Sequence, residues 1–149
     1  MQENNYPILC ASVSTSVYKS FAEAFPDVAK NIPQQNWQFF TSVLIFRLLV
    51  DVINSMELTP EERKVIFTKG QDDMEKIHPG FSNGIKHLEQ FFKQMAAVGI
   101  NPKTLGFWLA TNFYGKDGNT LEEQEMQTGM TVAQMIIINV HSFIEKKVH

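Results

Sequence analysis

The sequence predicts an all-α protein of six helices, and three observations carry that prediction. Apolar residues recur at helical spacing along most of the chain, no segment sustains the period-two alternation of a half-buried strand, and proline-containing and capping motifs separate the apolar runs. A length of 149 residues suits one domain, and 44% apolar with 19% charged residues is the composition of a globule, not of a disordered chain. No repeat, low-complexity tract or interdomain linker is visible, so residues 1–149 read as a single helical domain.

On a helical wheel of about 100° per residue, the first helix, 8–25, gathers Cys10, Val13, Val17, Phe21 and Phe25 on one side and leaves a Ser/Thr-rich face for water. Pro26 and Pro33 bracket a connection. The second helix, 36–57, reads NWQFFTSVLIFRLLVDVINSM over its length and is apolar nearly all round, the pattern of a helix at the centre of its fold. Thr59-Pro60-Glu61-Glu62 is a capping box that opens the third helix, whose stripe is Ile66, Phe67, Met74 and Ile77 and whose stop is His78-Pro79-Gly80. The fourth, 82–98, has the cleanest face, Ile85, Leu88, Phe91, Phe92 and Met95, with Gly99 suited to end it in the left-handed conformation.

Asn101-Pro102 begins the fifth helix, which runs to Tyr114 and carries Leu105, Phe107, Trp108, Leu109 and Phe113 on nearly every side. Part of that surface must meet another element or a second chain. Phe107, Trp108 and Phe113 are the expected homodimer contacts, with Trp108 as anchor. After turn residues 115–119, Thr120-Leu121-Glu122-Glu123 is a second capping box, and the sixth helix runs to Lys147. Its apolar face is Val132, Ile136, Val140 and Phe143 with Met130, Ile137 and Ile144, and Lys146 and Lys147 suit its C-terminal dipole.

A net charge of −3, with Arg47 and Arg63 the only arginines, argues against a nucleic-acid face. Cys10 is the single cysteine, no Cys/His cluster has zinc spacing, and the N-terminus lacks the pattern of a signal peptide, which together fit a reducing cytoplasm. The most apolar window, 43–53, is interrupted by Arg47 and Asp51, so it reads as a core helix and no membrane span is expected.

Phosphate loops, a nucleophile elbow and an H-E-x-x-H helix are all absent, and no paired acid, base or nucleophile stands out, so an enzyme is not expected. Glu75-Lys76-Ile77-His78 has the E-x-x-H spacing of di-iron bundles, but it lacks the second copy and the further glutamates that such a site needs. Residues 117–123 lack the alternating oxygen ligands of a calcium loop. Cys10, mid-stripe, reads as a buried thiol. No metal is expected. Arg47 sits four residues before Asp51, either as an ion pair completed by Asn54 or as a group awaiting an acidic ligand or partner. His87 and His141 lie at helix-face boundaries, and His149 is at the terminus.

Phe46, Leu49 and Ile53, Phe67 and Met74, Leu88, Phe91 and Met95, and Leu105 and Leu109 can line one apolar space or simply fill it. If they line a cavity, Arg47 and His141 are the polar groups placed to meet a ligand head group at its mouth.

The order and spacing of the last four helices, and the run Met95-Ala96-Ala97-Val98-Gly99-Ile100-Asn101-Pro102, resemble the globin fold at the junction of its F and G helices. Met95 stands where a haem globin carries its iron-binding His, and His87 lies more than two turns upstream and points roughly 80° away. The segment FKQMAAVGINPKTLGFWLATNFY, 92–114, is similar to the non-haem globin domain of stressosome regulators. A chain of this size is similar to the plasmid-encoded sporulation inhibitors related to the sensor domain of a sporulation histidine kinase. The resemblance implies a globin-like fold without the proximal haem histidine, no haem, and a homodimer through the last two helices. It also implies an apolar cavity that takes a fatty acid, and inhibition of sporulation by competing for a sensor histidine kinase's signal. The alternative is a helical protein-binding adaptor or inhibitor with no small-molecule ligand.

Overall fold

Pro26 decides where the first helix stops. A proline pushes the residue before it out of the helical region, and Phe25 adopts φ −136° and ψ 65°, so α1 (Tyr6–Ala24) ends there and a short α2 (Pro26–Ala29) follows. That extra helix makes seven α-helices among the described residues where six are predicted. The computed structural model describes residues 6–54 and 58–148, with side chains over 7–51 and 58–142. The remaining helices are α3 (Gln34–Asn54), α4 (Pro60–Ile77), α5 (Phe81–Gln94), α6 (Pro102–Tyr114) and α7 (Glu123–Val148), and the described residues include no strand. No described helix is long and apolar enough to cross a membrane.

The all-round apolar sequence of α3 is matched by its position. Val43, Leu44, Ile45 and Phe46 are consecutive and each 0% exposed, which requires neighbours on every side, and α1, α4, α5, α6 and α7 all pack against this helix. Full burial of such side chains stabilises by roughly 1.5–3 kcal/mol apiece. A polar chain ties α1 to α3 inside this core: Ser14 Oγ and Thr41 Oγ1 lie 2.8 Å apart, Thr41 donates to the Trp37 carbonyl, and Trp37 Nε1 donates to the Ser14 carbonyl at 3.4 Å. Each buried hydroxyl is thereby paired, which removes the desolvation cost of leaving it alone.

Chain reversals are set by caps. Thr59 Oγ1 accepts the Glu62 N–H at 3.1 Å and Glu62 accepts the Thr59 N–H at 3.2 Å, the predicted reciprocal box. Asn101 and Thr104 form a second one at the start of α6. The box expected at Thr120 is displaced: Thr120 closes a 3-10 turn by bonding to the Asp117 carbonyl, and Glu125 instead accepts the Glu122 N–H at 2.9 Å as α7 begins. α5 ends four residues before its predicted limit, because the backbone turns at Met95 (φ −94°, ψ 7°) and Gly99, at φ +95°, closes that turn onto the Met95 carbonyl.

α6 and α7 form the tightest helix pair. A Cβ on Gly129 would lie 2.1 Å from the Gly106 carbonyl oxygen, and one on Gly106 would lie 2.5 Å from the Met130 backbone, so both positions require glycine for the approach. This pairing bears on the three α6 aromatics expected at a dimer contact. Trp108 is 1% and Phe113 0% exposed within the subunit, so both turn inward, and Phe107 is half-buried. The sequence left open whether that surface meets another element or a second chain, and within the subunit α3, α5 and α7 surround the helix. Phe25 and Ile77, predicted on apolar stripes, are exposed because each falls at a helix end.

Candidate functional site

The residues proposed to line a cavity converge, but they close on one another. Phe46, Met74, Leu88 and Leu109 are each 0% exposed, and Leu49 and Leu105 belong to the same contiguous core. The Phe46 ring meets Phe81 edge-on at 5.4 Å and tilts against the half-buried Phe67 at 5.8 Å. Phe91 and Met95 lie apart from this core centre, Phe91 against α6 and Met95 at the C-terminal cap of α5. The side chain of Ile53, like those of Asn54, Phe143 and Ile144, lies outside the described residues.

Of the two polar candidates, Arg47 is already paired. Arg47 is bonded to Asp51 and to Glu89, and its guanidinium sits 5.5 Å from the centre of the Phe92 ring, so the ion-pair reading holds with Glu89 as an added partner from α5. His141 is exposed on α7. The E-x-x-H motif is spent on structure. Glu75 accepts the N–H groups of Gly80 at 2.6 Å and Ser82 at 3.1 Å, capping α5, and these backbone bonds hold its carboxyl below the usual range. His78 packs edge-on to Phe39, and burial lowers its imidazole. Among the described residues no group of three or more His, Cys, Asp or Glu side chains is placed to hold a metal. Burial pushes the Cys10 thiol up to about 12, which leaves it unreactive as a nucleophile.

A groove of about 480 Å³ between α5 and α6 combines aromatic and hydrogen-bonding groups. α5 contributes His87, Gln90, Phe91 and Gln94; α6 contributes Phe107, Trp108, Thr111 and Asn112; the loop that follows closes one end with Lys116, Asp117 and Gly118. Its floor is rigid. Phe91 and Phe107 stack at 6.2 Å with 14° between planes, and the tip of Phe107 lies under Gly118, where a Cβ would come within 2.2 Å of the ring.

Hydrogen bonds fix the walls. The Trp108 indole N–H donates to His87 Nδ1 at 3.1 Å, and the Trp108 carbonyl accepts from Thr111 Oγ1 at 2.9 Å and Asn112 Nδ2 at 2.7 Å. Lys116 is held 3.0 Å from Glu125, a hydrogen bond that raises the lysine, while the Glu122 N–H and then Lys116 lower the carboxylate. Gln90 and Gln94, one turn apart on α5, have no hydrogen-bond partner among the described residues. The groove therefore offers an aromatic pair within a mostly polar lining, uncommitted amides and little net charge, which suits binding by hydrogen bonding and ring contact.

Two other concavities, one on the outer face of α4 and one of about 180 Å³ between Phe25 and α7, do not reach the core residues named above. Sequence reasoning missed the groove. The available signal was the pair Gln90 and Gln94 beside Phe91, together with Thr111 and Asn112 interrupting an otherwise apolar helix. No protein-family model, curated protein or solved structure matches this chain.

Proposed function

We propose that this chain is a ligand-sensing regulatory protein that acts by binding, and that its ligand occupies the groove between α5 and α6. The observation that carries the reading is the aromatic floor of Phe91 and Phe107 beside two amides, Gln90 and Gln94, that are engaged by nothing else among the described residues. A volume of about 480 Å³ falls in the range of small-molecule sites. The lining selects an uncharged polar molecule, with one flat face for the floor and donors and acceptors at its edge for the amides.

A second reading follows the resemblance to sporulation inhibitors: a fatty acid within the core, and inhibition by competing for a sensor kinase's signal. It is favoured by the contact of α4 on α3, where half-buried Phe67 covers Phe46. Parting there would admit an acyl chain worth roughly 0.8 kcal/mol per buried methylene. Its carboxylate would have to displace Asp51 or Glu89 from Arg47 or stay in water.

Titration of isotope-labelled protein with benzamide and nicotinamide, followed by amide resonances, separates the readings when paired with solvent extraction and mass spectrometry of the purified chain. The groove reading expects saturable shifts in the side-chain amides of Gln90, Gln94 and Asn112 and no stoichiometric lipid. A stoichiometric acyl chain, or saturable binding of a fluorescent fatty acid with no shifts in the groove, overturns it in favour of the core lipid. Neither response leaves a protein-binding adaptor.

A further inference from the structure

We infer that the hydrogen bond from Trp108 to His87 is a proton-operated latch on the groove, an inference whose consequence for binding rests on the groove reading above. Trp108 is 1% exposed, yet its indole N–H is directed to Nδ1 of an exposed residue on the neighbouring helix, 3.1 Å away. Nδ1 accepts only in the neutral ring, so the ring proton sits on Nε2. An imidazolium carries N–H on both nitrogens. Protonation therefore sets donor against donor, and the bond has to break.

Few charged groups face His87, and most of those are committed elsewhere. Along α6 from Thr104 to Phe113 no side chain is ionisable. The loop contributes Lys116 and Asp117, and the lysine is already paired with Glu125 of α7. On α5 itself the nearest charges are Lys86, the preceding residue, and Glu89, which is held by Arg47 of α3. From α4, Glu75 is committed to capping α5.

When the latch opens, His87 swings out on its exposed helix face, and the indole N–H becomes a donor presented to the groove. A buried donor left without an acceptor is costly, so it seeks water or a ligand oxygen. Ligands that carry a carbonyl at that place bind with uptake of a proton, and bind more tightly on the acid side of the His87 titration.

The indole N–H resonances of the unliganded protein test this, since the two tryptophans are placed to serve as signal and control. Trp37 donates to the buried Ser14 carbonyl and faces no histidine in that bond. Across about pH 5 to 8, the Trp108 indole resonance is expected to shift with the same midpoint as the His87 ring protons, while Trp37 stays constant. His87→Gln, whose amide oxygen accepts without titrating, is expected to flatten the Trp108 response. A Trp108 resonance that stays fixed while His87 titrates, a His87 that does not titrate in that range, or a pH response that survives in His87→Gln overturns the latch. No ligand is present, so this failure is distinct from failure of the groove to bind.

Discussion

Glu75 shows most clearly how a single side chain supports the architecture. Its carboxylate receives the Gly80 and Ser82 N–H groups and so neutralises the exposed start of α5. The folded carboxyl is depressed from an ordinary value of 4.5, first by the Ser82 bond and then by the Gly80 bond. A depressed acid stabilises the fold above its unfolded value, and that contribution disappears as pH falls through the folded value. Glu62 and Glu125 are depressed in the same sense by backbone bonds at the starts of α4 and α7. Thermal midpoints measured from pH 7 down to about pH 3 should therefore fall steeply for the wild type below about pH 4.5. Glu75→Gln should start lower at neutral pH, fall less on acidification, and converge with the wild type at the acid end. A constant gap between the two proteins at every pH would mean that charge is not what caps α5.

Among the elements, α6 and α7 depend on a backbone contact that no side chain can replace. With the Gly129 Cα so close to the Gly106 carbonyl, a methyl group has no flexible neighbour to displace, and the helices must separate. Gly129→Ala is expected to cost at least the roughly 1–3 kcal/mol of ordinary overpacking, read as a lower urea midpoint with the slope retained. A variant as stable as the wild type would show that the two helices can slide without penalty. The same pair accounts for Trp108. Its burial between α6 and its neighbours predicts that Trp108→Ala loses about 3–5 kcal/mol of folding stability. Sedimentation of the folded fraction should stay unchanged, because the side chain contributes to the subunit interior and not to an outer surface. A change of mass with little loss of stability would restore the interface reading.

Across the molecule, α3 is the organising element, and its sequence alone announced that role. Four consecutive side chains with no exposure are possible only at the centre of a helical assembly, and the run Val43-Leu44-Ile45-Phe46 has no polar residue to spare for water. The reciprocal cap at Thr59 and the left-handed glycine at position 99 were equally legible, since each depends on a few adjacent residues. Helix existence and the principal core stripes, among them Cys10, Val13, Val17 and Phe21, followed from periodicity for the same reason. Local backbone preference and the amphipathic period are properties of neighbours along the chain, and these the amino-acid order determines by itself. What surrounds each face is a property of neighbours in space. Only the tertiary structure decided that Trp108 and Phe113 turn inward, that Arg47 is claimed by Glu89 from another helix, and that Phe46 packs against Phe67 and Phe81. The groove belongs to the same class: Gln90 and Thr111 come from different helices, and they line one groove because Gly106 and Gly129 set how α6 lies on α7 while His87 meets Trp108 across the gap to α5.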